Sequence, residues 1–254
     1  MPGAVIFDLG RGGDFAAAPD AAFGENACAA ALSAQVTDAH PLVQQGSSGA
    51  GTGAQAGGLR GGTGSASAVL TTDEGVVTVA ALVVVNAVGS TVDPATGELW
   101  GARSLLPADL EGIPGWPAGV RPRRPDPADL EAARRAAAAD GSAGMPRTLA
   151  TTIGVVATDA TLTKAQCARL AGSGQDGMAR AVSPIHTMVD GDTLFGLSTA
   201  AGPAPGPAAL HLLLHAAGEV VTRSIVRAML AADSVTTPAG RWRSYREAFP
   251  SAAS

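Results

Sequence analysis

Thr151 and Thr152 open an apolar, β-branched run, Ile153-Gly154-Val155-Val156-Ala157-Thr158, directly after a proline-rich polar stretch. Further along, Asp190-Gly191-Asp192 sets two carboxylates one residue apart, just ahead of a second such run. A hydroxyl with carboxylates to orient it is the raw material of nucleophilic catalysis. On residue pattern alone the hint is weak, because threonines at strand starts are ordinary and an Asp-Gly-Asp turn is usually only a turn. Other chemistries fit less well. His211 and His215 stand one helical turn apart, a ligand spacing, but Leu212 occupies the place of a metalloprotease glutamate and no further ligand is evident. Gly51-x-Gly53-x-x-Ala56, followed by Asp73 and Glu74, superficially matches a dinucleotide fingerprint. Glycines continue at 57, 58, 61, 62 and 64, so no helix can open where a pyrophosphate needs its N-terminus. No Gly-x-Ser-x-Gly elbow with a following acid and histidine is readable, which argues against the usual serine hydrolase arrangement. Lys164 is the single lysine beside sixteen arginines, so a lysine base has one candidate.

The elements that must position these residues alternate between strand and helix patterns. Residues 2–9 form a short apolar run ending in Gly10-Arg11-Gly12-Gly13, which reads as a strand entering a loop. Residues 19–33 are Ala-rich and read as a helix. The stretch 46–64 holds nine glycines, too many for a helix or an ordinary strand, so it is either a mobile loop or backbone packed closely against something. Residues 76–88 are nearly all apolar and end at Gly89, the pattern of a central strand buried on both faces, with Asn86 interrupting its end. Between 90 and 146 Pro94, Pro107, Pro114, Pro117, Pro122, Pro125 and Pro127 break regular structure, leaving a linker with one helix at 126–139, acids leading and Arg134 and Arg135 following. A strand at 151–159 leads into a helix announced by a capping box at Thr163 and Gln166. A third strand covers 193–199, and 208–232 carries apolar residues at three-to-four spacing, an amphipathic helix.

Composition closes off several function classes. The 254 residues carry a net charge of −5 and only 15% charged positions, which is not a nucleic-acid-binding balance. A hydrophobic fraction of 46% can bury a large core, and with nine aromatics that core must be Ala, Val, Leu and Ile in layers of strands and helices. No apolar run reaches membrane-spanning length and the N-terminus carries no signal-peptide pattern. Cys28 and Cys167 are too few for a disulfide framework and read as small buried hydrophobes in a cytoplasmic setting.

Five blocks then add a resemblance. They are 49–54 (Gly-Ala-Gly-Thr-Gly-Ala), 61–67 (Gly-Gly-Thr-Gly-Ser-Ala-Ser), 81–89 (Ala-Leu-Val-Val-Val-Asn-Ala-Val-Gly) and 151–160, followed by Ser183-Pro184-Ile185-His186-Thr187-Met188-Val189-Asp190-Gly191-Asp192-Thr193. In this order they resemble the P1 peptidases of family S58, the DmpA-like aminopeptidases, β-peptidyl aminopeptidases and nylon-oligomer endohydrolases, the last of these nearest. The resemblance covers nearly the whole chain. It implies an α/β fold, an αββα sandwich of two stacked sheets flanked by helices, of N-terminal-nucleophile-hydrolase type. It further implies a precursor that cuts itself between Ala150 and Thr151. Residues 1–150 and 151–254 would then be two chains of one domain, with 90–146 as the stretch before the cut.

By motif position the resemblance makes Thr151 the nucleophile, with Thr152 behind it. Asn86 would be the oxyanion donor, Asp190 and Asp192 the orienting carboxylates, and His186 a second-tier residue. Arg60 stands where the family carries a lysine, and Arg holds a charge without serving as a base. Ala150 stands where members carry Asn or Gly. Family precursors carry roughly a further third of chain ahead of residue 2. The implied activity is amide hydrolysis on short peptides, β-peptides or ω-amino-acid oligomers, in a homotetramer, with no cofactor, metal, nucleic acid or membrane involved. The competing reading is a truncated, silent homologue persisting as a folding remnant or assembly partner, and a third is a metal hydrolase built on His211 and His215.

Overall fold

The computed structural model describes residues 3–36, 43–139 and 149–254. Its centre is a four-stranded sheet in the order β3 (Gly62–Thr72), β4 (Gly75–Val85), β5 (Ile153–Thr158), β6 (Thr193–Ser198). Strands β3 (Gly62–Thr72) and β4 (Gly75–Val85) form a hairpin closed at Thr72–Gly75, where Thr72 Oγ1 donates to Gly75 O at 2.8 Å. Strand β5 (Ile153–Thr158) pairs antiparallel to β4, and β6 (Thr193–Ser198) runs parallel to β5. A parallel pair requires a crossover, and helix α3 (Lys164–Ala181) supplies it. Thr163 caps α3 by accepting from Gln166 N while the Gln166 side chain accepts from Thr163 N at 2.8 Å, so the capping box read from the sequence is formed.

Helix α4 (Pro207–Ala231) lies on β3 and β4 beside α3 and is buried almost throughout from Ala216 onward. The alternation of β4 turns Val77, Val79, Ala81, Val83 and Val85 toward this helix layer. The opposite face, with Leu82 and Val84 of β4 and Ile153 and Val155 of β5, is half-buried rather than sealed. The central-strand reading of 76–88 therefore holds for position, while full burial applies to one face. The glycine-rich stretch resolves as backbone packed closely against its neighbours. A Cβ at Gly64 would lie 2.0 Å from Ser224 O of α4, and one at Gly46, whose φ is +81°, would lie 2.2 Å from Ala231 O. Two short ribbons complete the strands: β1 (Gln55–Ala56) with β2 (Leu59–Arg60), and β7 (Val235–Thr237) with β8 (Gly240–Trp242).

Several sequence expectations change. Residues 3–8 are irregular, because no described strand offers them a ladder to join. The helix expected at 19–33 is present as α1 (Ala21–Val36), but its described side chains are exposed, Phe23 and Leu32 included, since its apolar residues form no stripe. The proline-rich stretch contributes Val92, Leu99, Leu105, Leu110, Ile113 and Trp116 to the core instead of spanning open solvent. Asp109 ties it down, since Arg223 of α4 reaches both its carboxylate oxygens, at 3.2 and 3.0 Å, with both side chains buried. Helix α2 (Pro127–Ala139) buries no residue completely. The end of this stretch, 140–146, lies outside the described residues. Neither cysteine is fully buried: Cys28 is exposed on α1 and Cys167 is half-buried on α3. No helix among the described residues is long and apolar enough to cross a membrane.

Candidate active site

The end of β4, the start of β5 and the turn before β6 converge because β5 pairs with both neighbouring strands. Thr151 lies two residues before β5, half-buried. Its backbone N–H donates to Asn86 O at 2.7 Å, and Asn86 follows the last residue of β4 directly. The Thr151 hydroxyl donates to Ala150 O at 2.7 Å, and Gly191 N–H donates to the same oxygen at 2.8 Å. Ala150 N–H is held in turn by Val189 O at 3.1 Å. The Ala150–Thr151 peptide is thus fixed on both sides, with its carbonyl polarised by two donors. A Cβ at Gly191 would stand 2.8 Å from Thr151 Oγ1, so a close seat for this hydroxyl requires glycine there.

Thr152 is fully buried, and its hydroxyl has no hydrogen-bond partner among the described residues. Of the two threonines, only Thr151 is open to an incoming reactant. Asp192 receives Thr152 N–H on Oδ1 at 2.8 Å, and on Oδ2 it receives His186 N–H at 3.3 Å and faces His186 Nδ1 at 3.0 Å. Asp190 receives Val88 N–H on Oδ1 at 3.1 Å, and Thr187 N–H and the Thr187 hydroxyl on Oδ2. Both carboxylates therefore brace the backbone around Thr151, and among the described residues neither bonds its hydroxyl. His186 adopts φ 55°, a left-handed conformation uncommon outside glycine, and makes two contacts to Asp192 there.

Asn86 is completely buried. Its Oδ1 accepts from Gln55 N–H at 3.1 Å and from Arg11 Nη1 at 2.7 Å, whereas its Nδ2 has no partner among the described residues. A buried amide N–H pair left unpartnered carries a desolvation penalty of roughly 1–3 kcal/mol, so this group is a donor held without an acceptor.

Arg60 sits apart from Thr151, in the wall of a cavity of about 460 Å³ shared with Asp8, Arg11, Asp14, Asp233 and Trp242. Its Nε donates to Asp233 O at 3.2 Å and its Nη2 to Thr52 O at 2.5 Å. Burial pulls its guanidinium below the ordinary arginine value, with Asp233 and Asp8 opposing. Arg11 joins this cavity to the Thr151 region, since the Nη1 that holds Asn86 also donates to Gly53 O at 2.7 Å. His211 and His215 are exposed on α4, and among the described residues no three His, Cys, Asp or Glu side chains gather as a metal site. Sequence reasoning missed Arg11 and Gly191. Neither carries a local signal, because each acts through a contact that only the tertiary fold makes.

Residues 4–243 match the model of peptidase family S58. An uncharacterized aminopeptidase of Mycobacterium leprae is 42% identical over 251 residues, covering 92% of this chain and 62% of that protein. Another, from Mycobacterium tuberculosis, is 41% identical over 259 residues, covering 99% of this chain and 68% of that one. Among solved structures, the L-aminopeptidase D-Ala-esterase/amidase of Ochrobactrum anthropi, described as a variant of the Ntn hydrolase fold, aligns with TM-score 0.55 at 24% identity. That alignment covers 81% of this chain and 51% of the other. A Burkholderia β-aminopeptidase aligns with TM-score 0.51 at 23% identity, again over 81% of this chain, and 53% of its own. The fold is shared with these structures, and the chain spans about half their length and roughly two thirds of the mycobacterial relatives.

Proposed function

Because the chain belongs to peptidase family S58, we propose that it matures by cutting itself between Ala150 and Thr151 and then hydrolyses amide bonds with Thr151 as nucleophile. The observation that carries this reading is the arrangement around one peptide group. Thr151 Oγ1 lies against the carbonyl it would attack, Gly191 N–H holds that carbonyl oxygen, and Asn86 O holds the nitrogen that would leave. In the first step Oγ1 forms a bond to Ala150 C, the C–N bond breaks, and the hydroxyl proton ends on Thr151 N. The resulting ester is opened by water, which leaves an Ala150 carboxylate, a free hydroxyl and a free α-amine. An α-amine has a reference pKa of about 8, so a usable fraction is free base near neutral pH. The amine then takes the proton from its own hydroxyl as that attacks a substrate carbonyl, and Asn86 O keeps the nitrogen oriented. Substrate would enter where Ala150 departs, its oxyanion meeting Gly191 N–H and the unpartnered Asn86 Nδ2.

The proposed substrate class is a short peptide, β-peptide or ω-amino-acid oligomer, of which the names of the relatives support only aminopeptidase, β-aminopeptidase and amidase chemistry. Assembly as a homotetramer and a cytoplasmic location complete the proposal. Intact mass and N-terminal sequencing of the purified protein test it. Two fragments, the second beginning Thr-Thr-Ile-Gly, support the reading, and a chain that stays whole under every maturation condition overturns it. Thr151→Ala is expected to abolish both cleavage and amide hydrolysis.

A further inference from the structure

We propose that Arg11 is a positioning residue that fixes which way the Asn86 amide faces. This deepens the reading above and rests on it for its catalytic consequence, though not for its structural one. An asparagine side chain presents a carbonyl and an NH₂ of nearly equal shape, and only its partners decide which end points where. Here both assigned partners are donors, and both meet Oδ1: Gln55 N–H at 3.1 Å and Arg11 Nη1 at 2.7 Å. A flip would bring Nδ2 against a backbone N–H and a guanidinium, three donors with no acceptor, and would add repulsion from a permanent cation. Gln55 alone offers one neutral bond. Arg11 adds a charge-assisted one, so the weight of the preference lies with Arg11, and Nδ2 stays turned away, buried and unpartnered. Pulling electron density toward Oδ1 also makes the Nδ2 protons better donors to an oxyanion.

The geometry makes the test clean. Asn26 and Asn86 are the only asparagines in the chain. Protein labelled with ¹⁵N-asparagine therefore shows two side-chain NH₂ pairs, one from an exposed residue and one from a buried one. Arg11 also lines the cavity, so guanidinium ion can reach the space that a truncated side chain leaves. In a Thr151→Ala background, whose Asn86 surroundings do not depend on maturation, Arg11→Ala should move the Asn86 pair, leave the Asn26 pair in place, and be reversed by added guanidinium. Arg11→Lys, which keeps the charge with a single donor head, should move it less, and it serves as the test variant if Arg11→Ala fails to fold. In the active protein, Arg11→Ala should lower kcat at least tenfold, short of the roughly 10²–10³-fold seen when an oxyanion donor is removed outright. KM should change less than kcat, and guanidinium should restore part of the rate.

Asn86 signals that stay put in folded Arg11 variants overturn the proposal. So does a kcat within twofold of the parent, or a loss that guanidinium cannot restore. If Thr151→Ala instead leaves hydrolysis intact, the nucleophile reading fails while the amide measurement still decides the role of Arg11.

Discussion

Two regions meeting along β5 are held together by different physics. On the helix side of the sheet, Val156 packs with Val83, Leu170 and Val221 in a buried apolar cluster, and α4 approaches β3 backbone to backbone. Around Thr151 the chain is half-exposed, and its geometry rests on hydrogen bonds: backbone N–H groups donate to the Asp190 and Asp192 carboxylates, and Thr151 N–H donates to the backbone oxygen of Asn86. Apolar contact is non-directional and sets stability, whereas hydrogen bonds set direction and contribute only about 1 kcal/mol net each. The first region should therefore govern whether the chain folds, and the second whether it reacts.

That separation can be broken or sharpened by substitution. The largest contrast is Thr151→Ala, expected to take activity and self-cleavage below detection while the unfolding free energy in denaturant stays within about 1 kcal/mol of the parent. A large loss of stability there would erase the distinction. Arg223→Met should do the reverse. It removes the cation bonded to both oxygens of the buried Asp109 carboxylate and leaves only the charge of Arg227 nearby, costing up to about 3–5 kcal/mol in urea unfolding, while whatever remains folded keeps its reactivity per molecule. Gly64→Ala follows, since its Cβ would meet Ser224 O at 2.0 Å, and overpacking of this kind costs about 1–3 kcal/mol or more. Asp192→Asn tests the rim. If the new amide oxygen keeps Thr152 N–H, its nitrogen faces the His186 N–H, so the loss should be about 1–3 kcal/mol with a larger fall in kcat than in melting temperature.

The smallest effect is acid dependence at Glu247. Burial pushes its carboxyl up, but hydrogen bonds with Ser234 and Arg241 and the charges of Arg241 and Arg243 outweigh that and hold it below its ordinary value. A carboxyl lowered in the folded state adds stability that is present above its unfolded value and fades as pH falls through the folded one. Glu247→Gln should therefore lower stability at neutral pH by less than about 1 kcal/mol, because the pair with Arg241 is partly exposed. The difference should vanish in acid.

Much of this frame was legible in the chain itself. The β-branched runs at 76–88 and 151–159, the Thr163 cap and the spacing of α4 are local signals, and each became the element expected. The motif blocks brought Thr151, Asn86, Asp190 and Asp192 to one place. What escaped was non-local. Leu99, Leu105 and Trp116 join the core from a stretch without period or regular structure, so no pattern marks them as buried. Residues 3–8 have strand composition but no described strand to pair with. Arg11 reaches Asn86 across 75 positions of sequence, and Gly191 matters only because Thr151 Oγ1 faces it. Arg60 matched by alignment yet stands in the cavity wall, where burial and Thr52 O decide its surroundings.

The approach of α4 to β3 has one more consequence. Where Gly64 faces Ser224 O there are no side-chain torsions to freeze on folding and little empty space between the layers. Pressure favours unfolding chiefly because unfolding eliminates internal voids and so lowers the volume of the system. This seam should therefore give way late under hydrostatic pressure, after the half-buried face of the sheet has taken up water.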